Sequence, residues 1–318
     1  METTNGEGEV REFDLPLTFE GSGKVREWYR LPGGRRLIVT TDRLSAFDRV
    51  VARVPGKGQV LNRLSAFWFE RTRDIVPNHL IAAPDPCASV VVEARAFPIE
   101  VIVRGRITGV TSTALWRRYE LGERNIYGYD FPDGLRKNDA LPRPIVTPTT
   151  KGGPTGHDER LTPAEVVSGG WLDEDTWERT MAAALALFER GRELARGAGL
   201  ELVDTKYEFG RSPQGDIMLI DEVHTPDSSR FWKLDTIEER TGRGEEPEVM
   251  DKEFVRLAFA ALGYRGDGPI PALPESVWTE AGALYRRVFE ALTGERFVLA
   301  EGEPAPRIMA ALLRGGFA

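Results

Sequence analysis

The sequence predicts an α+β protein in which strands come first and helices dominate the end of the chain. Three observations support this prediction. About five short apolar segments with strand-like patterns precede residue 105, a charged β-hairpin follows a long helix near residue 200, and three amphipathic helices close the chain. The length of 318 residues suggests two domains or one large one, and 41% hydrophobic residues suffice for a sizeable core.

Composition argues against several classes of protein. The net charge of -8 and the pI near 5.2 argue against bulk attraction to nucleic acid. Cys87 is the single cysteine, so an intrachain disulfide is excluded, and three widely spaced histidines argue against a zinc enzyme. The N-terminus lacks the apolar core of a secretion signal, and no apolar run approaches the ~20 residues that cross a membrane. We therefore expect a cytoplasmic protein without a membrane or nucleic-acid partner; nothing in the sequence determines its oligomeric state.

The first elements are predicted to be a strand, a glycine turn and a second strand within residues 15–30. The turn consists of Gly21, Ser22, Gly23 and Lys24. Such a turn could place backbone N–H groups and one ammonium over phosphates. It is not a Walker A loop, because Thr18 stands where the first glycine should be and Val25 follows the lysine. Taken alone, this segment favours a plain hairpin turn.

Residues 35–54 contain two apolar strands, RRLIVTT and RVVARV, separated by the polar insert DRLSAFD. The insert contains Asp42, Ser45 and Asp48, and each acid could serve either in a turn or cap or in a functional site. A tight loop is predicted at residues 55–59, followed by a helix from about Leu61 to Arg73 that packs its aromatic residues.

Residues 89–103 form two predicted strands broken at Ala96-Phe97-Pro98. In nucleotide-binding proteins with a β-rich lobe, such a junction can be the hinge whose backbone meets the adenine. Arg104 and Arg106 leave the second strand on the same side, and three adjacent hydroxyls follow at residues 111–113. Arginines with hydroxyls can bind phosphate or carboxylate, but surface ion pairing accounts for them equally well at this point.

The next segment, residues 121–160, is loop-rich, and a structureless stretch of this length is usually functional or mobile. Helices are predicted to resume at Thr162, where Glu165 occupies the capping-box position, and again over residues 173–197. Three further helices are predicted near residues 251–263, 275–293 and 304–314.

Residues 201–230 are predicted to form a hairpin that gathers charged side chains. Side chains alternate along a strand, so Asp204, Lys206 and Glu208 share one face of the first strand. Buried charge is costly unless it is paired or bound to a metal. The loop after the second strand is also rich in polar residues, namely Glu222, His224, Asp227, Ser228, Ser229 and Arg230.

The turn of this hairpin sets which charges meet. If Ser212 faces Gly215, Lys206 pairs across with Asp221, and Glu208 lies diagonal to Asp221 on the same face. A slip of one residue would move Asp221 to the opposite side. Two carboxylates and an ammonium at this spacing suit Mg²⁺ bridged to nucleotide phosphates, because Mg²⁺ is held by one or two carboxylates plus phosphate oxygens and waters. On the hairpin alone, a structural salt bridge is an equal alternative.

Six segments, in this order and spacing, resemble the phosphoribosylaminoimidazole-succinocarboxamide synthase (SAICAR synthetase) family: GKVREWY, TDRLSAFD, PGKGQVLN, RGRITG, LVDTKYEFG and DEVHTPDSSRFW. The resemblance runs from about Gly21 to Arg256, and the inserts TSTALWRRYELGERNIYG and IVTPTTK look like the longer form of the family. It implies a SAICAR synthase-like α+β fold. Residues 1–105 would form a β-rich, kinase-like nucleotide-binding lobe, and residues 106–318 an ATP-grasp-like domain with terminal packing helices.

The resemblance also implies an activity. The family comprises ATP-dependent ligases of purine biosynthesis that condense the carboxylate of carboxyaminoimidazole ribonucleotide (CAIR) with the amine of L-aspartate. The products are SAICAR, ADP and phosphate, and an acyl phosphate is the implied intermediate. The implied cofactors are ATP as co-substrate and Mg²⁺.

Site residues are implied by motif. The implied catalytic group is Lys206, Glu208 and Asp221, of which Glu208 and Asp221 would hold Mg²⁺. The implied nucleotide-binding group is Gly21, Ser22, Gly23, Lys24 and Glu100. The implied substrate-binding group is Arg104 and Arg230, which match phosphate-binding arginines, with Asp227, Asp42, Ser45, Asp48 and Ser112.

One position departs from the family pattern: Val110 stands where a serine usually contacts the substrate phosphate, which leaves Ser112 or Thr111 to supply the hydroxyl. Alternatives to the implied enzyme are a related carboxylate–amine ligase with a different acid or amine, a kinase and a nucleotide-binding regulatory protein. The kinase catalytic-loop and DFG signatures are absent from the sequence. The presence of both Arg104 and Arg230 favours the enzyme over a regulatory protein.

Overall fold

The computed structural model describes residues 3–5, 9–111, 113–152 and 158–318, with residues 3–5 and 9–11 described by their backbone alone. Ser112 therefore lies outside the described residues. Two antiparallel sheets and a set of helices form the fold, as the α+β prediction requires. Among the helices of the described residues, none combines the length and apolar character that a membrane span needs.

The first half of the chain builds a five-stranded antiparallel sheet with strand order β3-β4-β5-β9-β8. The strands of this region are β1 Thr3–Asn5, β2 Glu9–Arg11, β3 Thr18–Ser22, β4 Arg26–Leu31, β5 Arg35–Thr40, β6 Arg43–Ala46, β7 Arg49–Arg53, β8 Leu80–Asp85 and β9 Ala88–Val92. Tyr29, Leu37 and Val39 lie in its core, which the last helix of the chain completes with Ile308 and Leu312. The predicted early strands are confirmed.

Two local expectations in this half are wrong. Part of the polar insert forms β6, which pairs with β7 as a separate hairpin. The first helix, α1 Lys57–Arg71, begins where a loop was expected. Asp42 explains this early start, because its carboxylate accepts the backbone N–H groups of Gly56 and Gly58 at 3.0 and 2.9 Å. An acid distant in sequence thus satisfies free N–H groups at the helix N-terminus.

The second sheet has seven strands around the 12-residue strand β16. The strands here are β10 Arg95–Ala96, β11 Ile99–Arg106, β12 Asn125–Ile126, β13 Tyr129–Asp130, β14 Ala140–Val146, β15 Thr149–Thr150, β16 Leu200–Arg211, β17 Ile217–Ile220 and β18 Ser229–Lys233, of which β12 and β13 pair apart from the sheet. The helices are α2 Leu115–Glu120, α3 Pro163–Ser168, α4 Glu174–Gly197, α5 Ile237–Gly242, α6 Glu253–Ala261, α7 Glu275–Thr293 and α8 Pro304–Arg314. The predicted domain boundary at residue 105 falls within β11, and the division into residues 1–105 and 106–318 stays a prediction.

Helix α4 packs against β16 and shares its core. Trp177 and Phe188 from the helix lie with Tyr207 and Phe209 from the strand in the main hydrophobic cluster. The predicted helices near residues 162–168 and 173–197 and the three terminal helices are confirmed.

The expectation of a structureless stretch over residues 121–160 is wrong. The stretch contributes β12 to β15, and β14 pairs with β11 in the second sheet. Tyr127 and Phe131 pack with Tyr119 and Ile145 in a separate hydrophobic cluster. Apolar contacts therefore order the part of this stretch that the structure describes.

The charged hairpin has a register one residue away from the predicted one. Glu208 pairs with Ile220, and Ser212 donates its N–H to Asp216 at 2.8 Å instead of facing Gly215. Gly215 adopts φ +94° and becomes a third loop residue, as in a type I turn followed by a left-handed position. Strand β17 consequently ends one residue before Asp221.

Candidate active site

A polar cleft with a volume of about 360 Å³ gathers residues from both sheets. The first sheet and the β6–β7 hairpin contribute Lys24, Arg26, Ser45 and Asp48, and the second sheet contributes Glu100, Arg104, Asp204, Lys206 and Arg230. The segment from β17 to the start of α6 adds Asp221, Glu222, Asp227, Asp251 and Lys252. Most of the residues singled out in the sequence therefore share one cavity, but Glu208 is not among the residues that line it.

Asp221 reaches this cleft in spite of the changed register. It follows the last residue of β17 and adopts a left-handed backbone with φ +67°, so the alternation of the strand no longer determines its direction. Arg26 donates to Asp221 Oδ1 at 3.0 Å and lies 2.7 Å from Glu222 Oε2 through its other terminal nitrogen. The pairing of Lys206 with Asp221 across the hairpin was wrong, but the two acids and the lysine are still electrostatic neighbours.

Glu208 is engaged by two lysines. Lys206 donates to Glu208 Oε1 at 3.0 Å, and Lys151 donates to Glu208 Oε2 at 2.5 Å. Burial raises the pKa of Glu208, but Lys206 and Lys151 outweigh it and lower the pKa to about 2. Glu208 is therefore ionised across the physiological range.

Asp221 is less well compensated. Burial raises the pKa of Asp221 to about 6, because Arg26 only partly offsets the desolvation and the neighbouring Glu208 and Glu222 add negative charge. A cluster of acids whose charge is incompletely balanced favours an additional cation.

The residues present fit Mg²⁺. The donor set consists of the carboxylate oxygens that Mg²⁺ prefers, and Asp221 carries charge that Arg26 does not fully balance. Within the described part of the chain, no group of three or more His, Cys, Asp or Glu side chains is arranged to hold a metal. An ion held by two carboxylates and by phosphate oxygens requires no such group.

Glu100 lies beside the lysine of the acid cluster. Lys206 donates to Glu100 Oε1 at 2.5 Å, and β11 and β16 bring the two residues together by pairing Ile102 with Lys206. Burial lowers the pKa of Lys206, but Glu208 and Glu100 outweigh this effect and raise it. Lys206 is thus held as an ammonium between two carboxylates.

The glycine turn presents one cation to the cleft. Lys24 lines it and forms a 2.5 Å ion pair with Asp48, and both side chains are more than half exposed. The turn is shorter than predicted, because Gly21 and Ser22 belong to β3 and only Gly23, which donates its N–H to Arg26 O at 2.8 Å, precedes Lys24 in the turn. Gly21, Ser22 and Gly23 are outside the lining of the cleft. Nucleotide binding by this turn stays a prediction.

Two arginines of the predicted substrate site, Arg104 and Arg230, lie together beside Asp204. Arg104 and Arg230 each lie 3.4 Å from Asp204 Oδ2, since β16 pairs Asp204 with both of them. Gly109 has φ +92°, and a Cβ at this position would lie 2.9 Å from the terminal nitrogens of Arg230. Glycine is favoured here by the left-handed backbone and because a Cβ would also lie 2.7 Å from Ala114 Cβ.

The hydroxyls near this pair are partly described. Thr111 and Thr113 line the cleft, and Val110 is 51% exposed. The predicted contact from Ser112 falls outside the described residues. Thr111, one of the two candidates for the missing family serine, lines the cavity.

The remaining predicted substrate residues differ in position. Ser45 and Asp227 line the cleft, whereas Asp42 is outside the lining and caps α1, the structural role that the sequence left open. Asp227 Oδ2 lies 2.7 Å from Lys57 Nζ, and Asp227 Oδ1 accepts from Tyr285 at 2.5 Å.

Several residues at or beside the cleft were missing from the predicted site, among them Arg26, Lys57, Lys252, Arg256 and Tyr285. Arg26 and Lys57 belong to the segments GKVREWY and PGKGQVLN, so the motifs that indicated the family contained them. Burial lowers the pKa of Lys252 to about 8, against the opposing effect of Asp227. Tyr285 lies in a helix that the sequence marked only as packing, and no local signal distinguishes it there.

The chain is similar to known proteins along most of its length. The family model described as SAICAR synthetase matches residues 20–269. A phosphoribosylaminoimidazole-succinocarboxamide synthase of Legionella pneumophila (strain Paris) is 49% identical over 299 residues, which cover 93% of this chain and 94% of the relative. The enzyme of the same name from Bacteroides thetaiotaomicron is 44% identical over 279 residues and 87% of each chain.

A solved structure is similar along most of the chain. The SAICAR synthase from Saccharomyces cerevisiae, determined in complex with SAICAR, has a TM-score of 0.77 and 32% sequence identity over 90% of this chain and 99% of its own. The SAICAR synthase-like fold expected from the sequence is therefore confirmed. The extent of these matches shows that the chain belongs to the SAICAR synthetase family.

Proposed function

We propose that this protein is an ATP-dependent ligase of purine biosynthesis that joins the carboxylate of CAIR to the amino group of L-aspartate, giving SAICAR, ADP and phosphate. The observation that carries the proposal is the cleft that brings Asp221, an electrostatic neighbour of Glu208, together with the Arg104–Arg230 pair. The names of the relatives and the SAICAR complex of the yeast protein support it. Action in the cytoplasm stays a prediction from the sequence.

The chemistry of this reaction explains why the cleft needs both parts. A carboxylate is a poor acyl donor, because its oxygen does not leave. Transfer of the γ-phosphoryl group of ATP to a CAIR carboxylate oxygen would give an acyl phosphate and ADP. The aspartate nitrogen would then attack the carbonyl carbon, lose a proton and expel phosphate. For phosphoryl transfer the protein has chiefly to position the reactants and neutralise charge.

The acid pair would serve the nucleotide. Glu208 and Asp221 are the residues that would hold Mg²⁺, which when bound neutralises charge on phosphate oxygens. Arg26 orients Asp221 through a 3.0 Å hydrogen bond, and Lys206 lies between Glu208 and Glu100. Lys24 can approach the phosphates from the glycine turn once it leaves Asp48. These groups supply positioned charge and perform no covalent step themselves.

The arginine pair would serve the ribonucleotide. Asp204 holds both guanidinium groups at 3.4 Å, so Arg104 and Arg230 are pre-organised for a phosphate that takes several hydrogen bonds. Arg104 donates from Nε to Thr147 at 2.8 Å, and its terminal nitrogens lie 3.4 Å from Asp204 Oδ2 and from Thr113 O, contacts long enough for a bound phosphate to replace. A kinase or a regulatory nucleotide-binding protein has no need of this second anion site.

A coupled assay for ADP release tests the proposal. We expect ADP when CAIR, aspartate and ATP are all present, little ADP when CAIR is omitted, and SAICAR as the product identified by mass spectrometry. ADP formed without CAIR would indicate a kinase or an idle ATPase. ADP formed with CAIR and a different amino acid in preference to aspartate would indicate a related ligase with another amine.

A further inference from the structure

Asp227, one of the acids of the cleft, is held by two buried side chains from distant parts of the chain. Lys57 lies at the first turn of α1, and its Nζ is 2.7 Å from Asp227 Oδ2. Tyr285 lies in the middle of α7, beyond residues 20–269 that the family model matches, and donates to Asp227 Oδ1 at 2.5 Å. Each carboxylate oxygen thus has its own donor from a different helix.

The three side chains form a buried hydrogen-bonded unit centred on Asp227. Lys57 is 1% exposed and also donates to Arg43 O at 3.0 Å, and its ammonium lies 5.7 Å from the centre of the Tyr285 ring. Burying an ammonium and a carboxylate is costly even when they pair, so the pair is weak grounds for stability alone. Asp227 is costly to bury and lines the cleft, so a role in substrate binding accounts for its position.

The unit fixes both the charge and the direction of Asp227. Burial raises the pKa of Asp227, but Lys252 and Lys57 outweigh it and hold the pKa below its ordinary value. Each carboxylate oxygen has two acceptor positions, so one on each oxygen remains after Lys57 and Tyr285 have bonded. Lys57 and Tyr285 therefore fix the directions in which the remaining acceptor positions of Asp227 point.

We propose that Lys57 and Tyr285 are positioning residues that orient Asp227 so that it accepts hydrogen bonds from hydroxyl or amine donors of the ribonucleotide or amino-acid substrate, and not from ATP. This inference rests on the proposed function. It assigns a purpose to the PGKG segment, whose lysine is at the start of α1 and not in a loop. It also makes α7 part of the binding machinery in addition to its packing role.

A double-mutant cycle in SAICAR binding tests the proposal, because SAICAR contains both the ribonucleotide and the amino-acid portions. The affinities of the wild type, Tyr285→Phe, Asp227→Asn and the double variant are measured by calorimetry, which does not require turnover. We expect Tyr285→Phe to weaken SAICAR binding about tenfold, as for a lost hydrogen bond to a charged group. In the Asp227→Asn background the same change should weaken binding less than about twofold, since the carboxylate that Tyr285 orients is no longer present.

Further variants separate positioning from folding. Lys57→Met should follow the pattern of Tyr285→Phe, and if it fails to fold the tyrosine cycle decides alone. Tyr119→Phe is the matched control, because it removes a buried hydroxyl that donates to Pro132 O at 2.9 Å in the separate cluster around α2. It should leave SAICAR binding unchanged. The affinity for ATP should stay within about twofold in Tyr285→Phe, because Asp227 is assigned to the other substrates.

Two outcomes would overturn the proposal. One is a Tyr285→Phe effect below about twofold, and the other is a full, additive effect in the Asp227→Asn background. If the wild type binds SAICAR and forms it from CAIR and aspartate, either result refutes the positioning role alone. Failure of the wild type to bind or form SAICAR refutes the proposed function instead.

Discussion

Replacement of Asp221 by asparagine separates the effect of this acid on the stability of the fold from its effect on turnover. Asparagine keeps the shape of the side chain and tolerates the left-handed backbone at φ +67°. It removes the negative charge that would hold the cation and leaves Glu222 as the ion-pair partner of Arg26. The variant therefore changes charge with little change in packing.

The magnitude follows from the shifted pKa. Burial raises the pKa of Asp221 from 3.8 to about 6, a difference of about two units at 1.36 kcal/mol each. Because the folded pKa exceeds the unfolded one, the contribution to stability is present below about pH 4 and is lost as the pH rises through 6. Above pH 6 the ionised carboxylate costs the fold on the order of 2–3 kcal/mol. A neutral asparagine avoids this cost.

We therefore expect Asp221→Asn to be as stable as the wild type at pH 7.5, or more stable by up to about 3 kcal/mol, with a smaller difference at pH 4.5. Turnover should fall at least about a hundredfold, because even outer-shell partners of a metal are worth 10–100-fold. Urea unfolding at the two pH values and ADP release measure the two effects. Turnover within tenfold of wild type, or destabilisation by more than about 1 kcal/mol at pH 7.5, would refute the reasoning.

Three further predictions concern the same site and the buried histidines. Glu208→Gln should lose turnover with the fold intact by circular dichroism, and normal activity would remove Glu208 from the metal site. Arg230→Ala should raise the KM for the ribonucleotide far more than the KM for ATP, because its partner is an anion on the ribonucleotide; equal increases would count against this role. Burial lowers the pKa of His79 and of His224 to about 3, so the unfolded chain binds more protons below pH 6.5. The contribution of each histidine to the free energy of unfolding should fall by about 1.4 kcal/mol for each pH unit between about 6 and 4, opposite in sign to that of Asp221. Identical pH slopes for His79→Gln and the wild type in urea unfolding would contradict the neutral assignment.

Local chemistry was sufficient to predict most elements of the fold. The helix after Thr162 was recognised because Thr162 and Glu165 form a reciprocal capping box, whose bonds the structure contains at 2.7 and 3.1 Å. The terminal helices were recognised from the spacing of their apolar residues. Signals of this kind lie within a few residues of the element that they specify.

Features that depend on a single backbone conformation were predicted less well. The hairpin register changed because Gly215 takes a left-handed conformation, and no rule of alternation indicates whether a glycine in the turn will do so. Asp221 reached the cleft through its own left-handed backbone and is an electrostatic neighbour of Glu208 without the predicted register. The position of Asp221 in the cleft therefore did not depend on the predicted register of the hairpin.

Contacts between distant segments were beyond local inference. Lys57 and Tyr285 meet at Asp227 although 170 and 58 residues separate them from it. Sequence patterns describe which face of an element is apolar, but they do not state which polar atom it meets across the core. The folded chain supplies that pairing.

The central claim is that Glu208 and Asp221 together bind a divalent cation, which in turn binds the nucleotide phosphates. Crystals grown with Mn²⁺ and a non-hydrolysable ATP analogue, measured at the manganese absorption edge, test it most directly. The claim predicts an anomalous peak that both carboxylates and the phosphate oxygens coordinate, at about 2.0–2.2 Å. A peak bound by phosphates alone, or by other side chains with Lys151 still on Glu208, would contradict it.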